Sequence, residues 1–287
     1  MPTAVCDGIE TRYRITGSGE PLLMFSPGGF NATIENWWSF SIYKRLRLLD
    51  HLPRAFSCIV FDKRESGESG GRVERLTWEH YVAQGIGLLD HLGVERAHVL
   101  GGCIGCSIAA TLASRHGDRV DRMVLYSPAG GRGYRRTQLE RLAKHAAYAS
   151  QAGLDGVVAL ARATESTFAQ EPRVGPWASV IRRDAGFADE YARHDVGEYS
   201  TVVAETASAL FDTDDVPGTS FEAAAQTLVV PGGDANHPQE AARFLHEHLP
   251  RSDYWDVPPD EQTEANAPAR VIRFLQSSDS PRSSAAI

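Results

Sequence analysis

Short apolar runs, each closed by glycine, proline or polar turn residues, recur along the first half of the chain. Residues 9–16 alternate between apolar and polar, which predicts a half-buried strand, and Gly17-Ser18-Gly19-Glu20 supplies turn chemistry. Residues 22–25, 56–61, 97–100 and 120–126 are continuous apolar segments and predict buried strands. Residues 78–92 carry apolar side chains at helical spacing (Tyr81, Ile86, Leu89) and stop at Gly93, a fitting helix end. A second helix is predicted over 107–114. Strand, loop, strand, helix, strand, helix, strand is the order of a doubly wound, largely parallel α/β sheet.

After Gly130 the pattern changes. Helical segments dominate at 136–149, 154–169, 187–191 and 199–210, separated by breakers such as Glu171-Pro172 and Gly175-Pro176. This predicts a helical cap over 130–218, inserted between a first core part (1–129) and a second (219–275). Its aromatic residues Phe168, Trp177, Phe187, Tyr191, Tyr199 and Phe211 are expected mainly as cap core. Arg132, Arg135 and Arg136 read as a solvated hinge rather than a carboxylate clamp. The buried-strand pattern returns at 227–230, followed by a helix at 239–249, a last strand at 254–257, a loop at 258–266 and a closing helix at 267–275. The Ser-, Pro- and Ala-rich tail 276–287 is expected to be disordered.

Composition adds limits. The 287 residues suit one large α/β domain with an insertion, and 42% hydrophobic with 23% charged residues is ordinary for a globular chain. A net charge of −8 argues against nucleic acid as a partner. No apolar run approaches the ~20 residues that span a bilayer, so no membrane partner is expected. With no visible secretion signal and four cysteines not spaced as a disulfide framework (Cys6, Cys58, Cys103, Cys106), a cytoplasmic location is expected. Homo-oligomerisation stays open.

The candidate chemistry centres on Gly101-Gly102-Cys103-Ile104-Gly105, between a predicted strand and helix. This is the G-x-nucleophile-x-G spacing of a nucleophile elbow, with cysteine in the central place. The turn forces the central residue into a strained backbone, and side chains two positions away would collide. The following helix aims free N–H groups at the thiol, which lowers its pKa and stabilises an oxyanion. Ser26-Pro27-Gly28-Gly29-Phe30-Asn31, after an earlier strand, is a glycine-rich loop where a second oxyanion donor arises. Gly29 or Phe30, with Ile104, are the expected donors.

The order of these motifs resembles the α/β-hydrolase superfamily over nearly the whole chain. The parts are Pro27-Gly28-Gly29, the loop Asp62-Lys63-Arg64 to Gly67-Glu68-Ser69, the elbow, the cap, and Gly233-Asp234 after the penultimate strand. Glu65 replaces the first glycine of the family's D-x-R-G-x-G-x-S loop. A cysteine nucleophile is similar to the dienelactone-hydrolase branch, which uses Cys with His and Asp. The resemblance implies a histidine in the loop after the last strand, yet residues 258–266 hold none, and Gln262 stands about where it would be. Of the ten histidines, His237 lies in the loop that carries the family's acid and is the favoured base for Cys103. Asp234 matches the acid position and is expected to bond Gln262 or His237. Glu35 is a weaker acid/base candidate.

A thiol tolerates such a loss better than a hydroxyl, because its free pKa is about 8.5 and a helix N-terminus depresses it further. The expected function is attack of Cys103 on an activated carbonyl of a small molecule (an ester, lactone, thioester or reactive ketone), with His237 and Asp234 as partners. The alternatives are a lyase- or isomerase-type enzyme on the same fold and an inactive small-molecule binding protein. A redox role for the Cys103/Cys106 pair lacks the thioredoxin-like unit it would need. No metal site and no cofactor are expected.

Overall fold

A computed structural model describes residues 1–277 except 219–221 and 224. Eight strands form one sheet: β1 (Thr3–Cys6), β2 (Ile9–Thr16), β3 (Glu20–Phe25), β4 (Phe56–Phe61), β5 (Ala97–Gly102), β6 (Val120–Tyr126), β7 (Gln226–Val230) and β8 (Ser252–Tyr254). Their spatial order is β1-β2-β4-β3-β5-β6-β7-β8. The β1–β2 and β2–β4 pairs are antiparallel and all others parallel. Every residue of β5 is buried, as are the last four of β3 and β4, the burial of a parallel sheet covered on both faces. By contrast β2 alternates only over its first three residues and is exposed at Arg14 and Ile15 near its end, in keeping with its outer position.

Around the sheet lie α1 (Asn36–Ser39), α2 (Tyr43–Leu46), α3 (Leu48–His51), α4 (Trp78–His91), α5 (Gly105–Arg115), α10 (Gln239–His248) and α11 (Ala267–Leu275). Between β6 and β7 run α6 (Gly131–Ala163), α7 (Ala178–Arg183), α8 (Ala185–Arg193) and α9 (Val196–Leu210). The chain moves outward from β3 to β4 and then crosses to β5 on the other side. The C-terminal ends of β3 and β5 therefore flank the switch point where open α/β sheets place their ligands.

Several boundaries differ from those expected. α6 starts at Gly131 rather than 136 and continues to Ala163, broken only at Gly153, whose φ of 71° no helix accommodates. Residues 164–169 are not helical. β8 ends at Tyr254 instead of starting there, because its pairing to β7 runs Thr227 to Ser252 and Val229 to Tyr254. β1, α1–α3 and α7 have no expected counterpart. At the C-terminus Gln276 and Ser277 are held by hydrogen bonds to Ile272 and Phe274, so order reaches two residues into the expected tail; 278–287 lie outside the described residues.

The insertion has a polar thread in its core. His145 donates from Nδ1 to the Arg173 carbonyl (3.1 Å), Tyr199 donates to His145 Nε2 (2.5 Å), and Tyr191 donates to Tyr199 (2.6 Å). Trp177, Tyr191 and Tyr199 are fully or almost fully buried with it, as core residues. At the base of α6, Arg132 and Arg135 pair with Asp214, and Arg136 with Glu140.

Candidate active site

Cys103 sits at the sharp turn between β5 and α5 with φ 56°, in the left-handed region that is costly for a residue with a side chain. The flanking glycines are a steric necessity. A Cβ on Gly101 would lie 2.3 Å from the Gly105 carbonyl oxygen, and one on Gly105 would lie 2.4 Å from that of Phe25. The bend is fastened from outside by the Cys103 N–H donating to the Tyr126 carbonyl at 3.2 Å.

Opposite the elbow, the loop after β3 is held open by its neighbours. Asn36 Nδ2 donates to the carbonyls of Pro27 and Asn31, both at 2.7 Å, and Ser66 donates to that of Phe30. Gly28 has φ 127°, and a Cβ there would meet Asn36 Nδ2 at 2.3 Å. This loop and α5 aim the N–H groups of Gly28 and Ile104 at the Cys103 sulfur. Gly29 and Phe30 line the cleft above it.

The loop after β7 brings the acid and the imidazole. Asp234 Oδ1 accepts the backbone N–H groups of Asn236 (2.9 Å) and His237 (3.1 Å), and the ring Nδ1–H of His237 (2.7 Å). This Asx-type turn folds the loop back on itself and fixes the ring tautomer, with Nδ1 protonated. Gly232 makes room beneath, since a Cβ there would lie 2.5 Å from that of His237. His237 is 3% exposed, whereas the Asp234 side chain is half exposed. Nε2 of His237 is buried, has no partner within hydrogen-bond geometry, and acts electrostatically on the Cys103 thiol. Such contacts are often long before the reacting complex forms.

The electrostatics follow. Burial pushes the Cys103 thiol up, but the charge and hydrogen bonding of His237 and the N–H groups of Gly28 and Ile104 outweigh it and bring the thiol below its ordinary value. For His237 burial opposes the charge, while the Cys103 thiolate and Asp234 favour it and push it up to about 10. The hydrogen bond from His237 holds the Asp234 carboxyl at about 2. His237 and the two amides therefore favour the thiolate, and the thiolate and Asp234 in turn favour the imidazolium. The other thiols behave oppositely: burial raises Cys6, Cys58 and Cys106, and Cys106 donates to the Gly101 carbonyl at 3.1 Å.

The sequence-derived residues Cys103, His237, Asp234, Ile104, Gly29 and Phe30 are thus brought together. Glu35 is not: it pairs with Arg12 at 2.5 Å, which also holds buried Asp62, and it does not line the cleft. Gln262 is fully buried elsewhere, accepting from the Tyr126 hydroxyl (2.7 Å) and donating to the carbonyls of Pro231 (3.0 Å) and Val257 (2.9 Å). Asp234 therefore serves His237 and not Gln262.

Above Cys103 and His237 opens a cleft of about 360 Å³ whose far wall includes Tyr134, Gln138 and Arg141 of α6, with Phe168 beside them. Sequence reasoning missed this wall, although the spacing 134, 138, 141 is one face of a helix and was there to be read. It also missed Gly28 as an amide acting on the sulfur, for which the Gly28-Gly29 pair gives no discriminating signal. Among the described residues no group of three or more His, Cys, Asp or Glu could hold a metal. No helix among them is long and apolar enough to cross a membrane.

The comparisons with known proteins agree with this layout. The dihydrolipoyllysine-residue acetyltransferase component of the acetoin cleaving system of Cupriavidus necator is 32% identical over 124 residues, 43% of this chain and 31% of that protein. The 2-hydroxymuconate semialdehyde hydrolase of Pseudomonas sp. strain CF600 is 33% identical over 131 residues, 44% and 42% respectively. The matches thus span less than half the length of these curated relatives. The enol-lactonase from Burkholderia xenovorans LB400 superposes with a TM-score of 0.59 at 24% identity, covering 96% of both chains. The meta-cleavage product hydrolase CumD from Pseudomonas fluorescens IP01 gives 0.60 at 19%, covering 96% of this chain and 97% of its own. These two likenesses are of fold. The family model for the alpha/beta hydrolase fold matches residues 21–171, more than half of the chain, and the protein belongs to that family.

Proposed function

We propose that this protein is a cysteine-dependent hydrolase of activated small-molecule carbonyls: esters, lactones, thioesters or reactive ketones. The observation that carries the reading is the Cys103–His237–Asp234 arrangement, its thiol and imidazole buried, with the thiol lowered and the imidazole raised at a strained elbow facing a cleft. Helices α6–α9 act as a cap over 130–218, and their α6 face shapes the substrate end of the cleft.

For an ester, the Cys103 thiolate attacks the carbonyl carbon and a C–S bond forms. The carbonyl oxygen takes up negative charge against the N–H groups of Ile104 and the Gly28-Gly29-Phe30 loop. Collapse breaks the C–O bond, and the His237 Nε2–H proton goes to the departing alkoxide. The resulting thioester is attacked by water, whose proton returns to His237. Breaking the C–S bond then releases the acid and the Cys103 thiolate. Asp234 keeps the ring oriented and its charged form favoured throughout. Amides, which demand stronger leaving-group protonation, are poor substrates in this scheme.

The test combines Cys103→Ala and His237→Ala. Turnover of p-nitrophenyl acetate falls by about a thousandfold or more in Cys103→Ala; a retained rate refutes the nucleophile. Iodoacetamide alkylation of Cys103 shifts to higher pH in His237→Ala, and identical profiles remove His237 from the mechanism. Heavy-oxygen water labels the acid product of a hydrolase, and an unlabelled product would assign a lyase-type reaction instead.

A further inference from the structure

Beside the cleft lies a second, narrower cavity that the mechanism does not use. It measures about 20 Å³ and shares Gly29, Phe30, Tyr134 and Gln138 with the cleft. Ile104 links the two: its N–H faces the Cys103 sulfur and the residue also lines the cavity. The remaining walls are largely apolar, built from residues such as Trp78, Tyr81, Ile108 and Leu210, with one exception, Lys63.

Lys63 directly follows Asp62 beyond the end of β4 and is 5% exposed. Its Nζ lies 4.0 Å from the Tyr81 ring centroid and 5.5 Å from that of Phe30. Among the described residues its ammonium makes no ion pair and no hydrogen bond. Glu65 and Arg64 act on it from its own loop in opposite directions; Glu65 Oε1 is engaged by Arg64 at 2.8 Å, while Oε2 is buried without a hydrogen bond. Tyr81 from α4 and Tyr134 from α6 line the same cavity, both kept neutral by burial. Burial lowers the ammonium to about 8, which leaves it charged at neutral pH. Glu65 favours the charge through space, yet among the described residues nothing gives the ammonium a hydrogen bond, and cation–π contacts leave part of its desolvation uncompensated. A methionine would fill the same space without that cost.

We propose that this cavity is an acyl subsite for an anionic oxygen: a carboxylate carried by the acyl part of the substrate, with Lys63 as the specificity-determining cation. The proposal rests on the reading above in that the reacting carbonyl sits at Cys103. From there the acyl chain passes between Gly29 and Ile104 into the cavity, while the leaving group stays in the wider cleft beside Gln170 and Arg141. The cavity admits the oxygen end of a short chain and excludes bulk.

The experiment compares p-nitrophenyl valerate with mono-p-nitrophenyl glutarate, in which a terminal methyl becomes a carboxylate, for wild type, Lys63→Met, Lys63→Gln and Arg141→Gln. Wild type prefers the glutarate ester in kcat/KM. Both Lys63 variants lose that preference by about a hundredfold, chiefly through KM, while Arg141→Gln keeps it. The wild-type preference also declines as pH rises through about 8. A preference unchanged in folded Lys63 variants, or lost only in Arg141→Gln, overturns the proposal; thermal unfolding of the Met and Gln variants monitors the fold. A second readout needs no turnover: glutarate protects Cys103 from iodoacetamide in wild type, and both Lys63 variants need at least about tenfold more of it. Lys63-dependent protection without ester turnover keeps the subsite and sinks the hydrolase reading. Protection indifferent to Lys63 sinks the subsite alone.

Discussion

At the scale of single residues, Asp234 and His237 divide the electrostatic labour unequally. Asp234 is half exposed, and its carboxylate collects three N–H groups, whereas His237 is buried between it and a thiol. Asp234→Asn keeps the turn but removes the charge that helps hold the ring protonated. Turnover is expected to fall about ten- to a hundredfold, and Cys103 alkylation to shift to higher pH by less than in His237→Ala. Stability changes in a defined window. The folded Asp234 carboxyl, at about 2, lies below its ordinary 3.8, so its contribution is present above pH 4 and lost as pH falls towards 2. Denaturant unfolding at pH 5 and pH 3 shows a smaller difference in Asp234→Asn. His237, raised to about 10, contributes stability below pH 6.5 that is lost as pH rises through 10. Cys103 was legible from its two glycines, because only that spacing satisfies the bend. Lys63 was not, since a lysine in a polar loop reads as solvated and only the tertiary fold turns it inward.

At the scale of elements, the elbow and the insertion contrast. The central strands β3 to β6 were legible because strands buried on both faces are unbroken apolar runs. Helices α1–α3 were not, since four-residue helices carry too little periodicity, and their closeness to the site comes from packing around Trp37 and Tyr43. In α6 the helical pattern fixed the element but neither its start nor its end. The insertion's core depends on a neutral His145, which accepts from Tyr199 while donating to the Arg173 carbonyl. Burial lowers this imidazole from 6.5 to about 4, so the stability it permits is full above pH 6.5 and is lost as pH falls through 4. The loss amounts to at most about 3 kcal/mol. His145→Gln, neutral at every pH, is less stable at pH 7.5 but flatter between pH 7 and 4, as thermal unfolding by near-UV circular dichroism will show.

At the scale of the whole molecule, the sheet order brings the ends of β3, β5 and β7 to one edge, and all three site loops leave from there. That convergence was legible from the order of motifs. The position of His237 beside the elbow was legible only as a preference, because nothing in a sequence shows that a loop curls back through an Asx turn. Gln262 fills the place in the last loop where the family resemblance implies a histidine, and it is a structural residue. Its three hydrogen bonds join the last loop to Tyr126, Pro231 and Val257. Gln262→Ala is expected to cost about 2–3 kcal/mol in chemical denaturation, through the buried hydroxyl and carbonyls left unpaired. The alkylation profile of Cys103 stays where it is, since no contact joins Gln262 to His237. One consequence reaches beyond this chain. Because Asp234 and His237 sit three residues apart in one turn, the proton-handling half of the proposed chemistry occupies one tetrapeptide, with Gly232 making room beneath it. Such a cassette can be grafted into the corresponding loop of a related scaffold in one piece, leaving the C-terminal segment free to diverge or be redesigned.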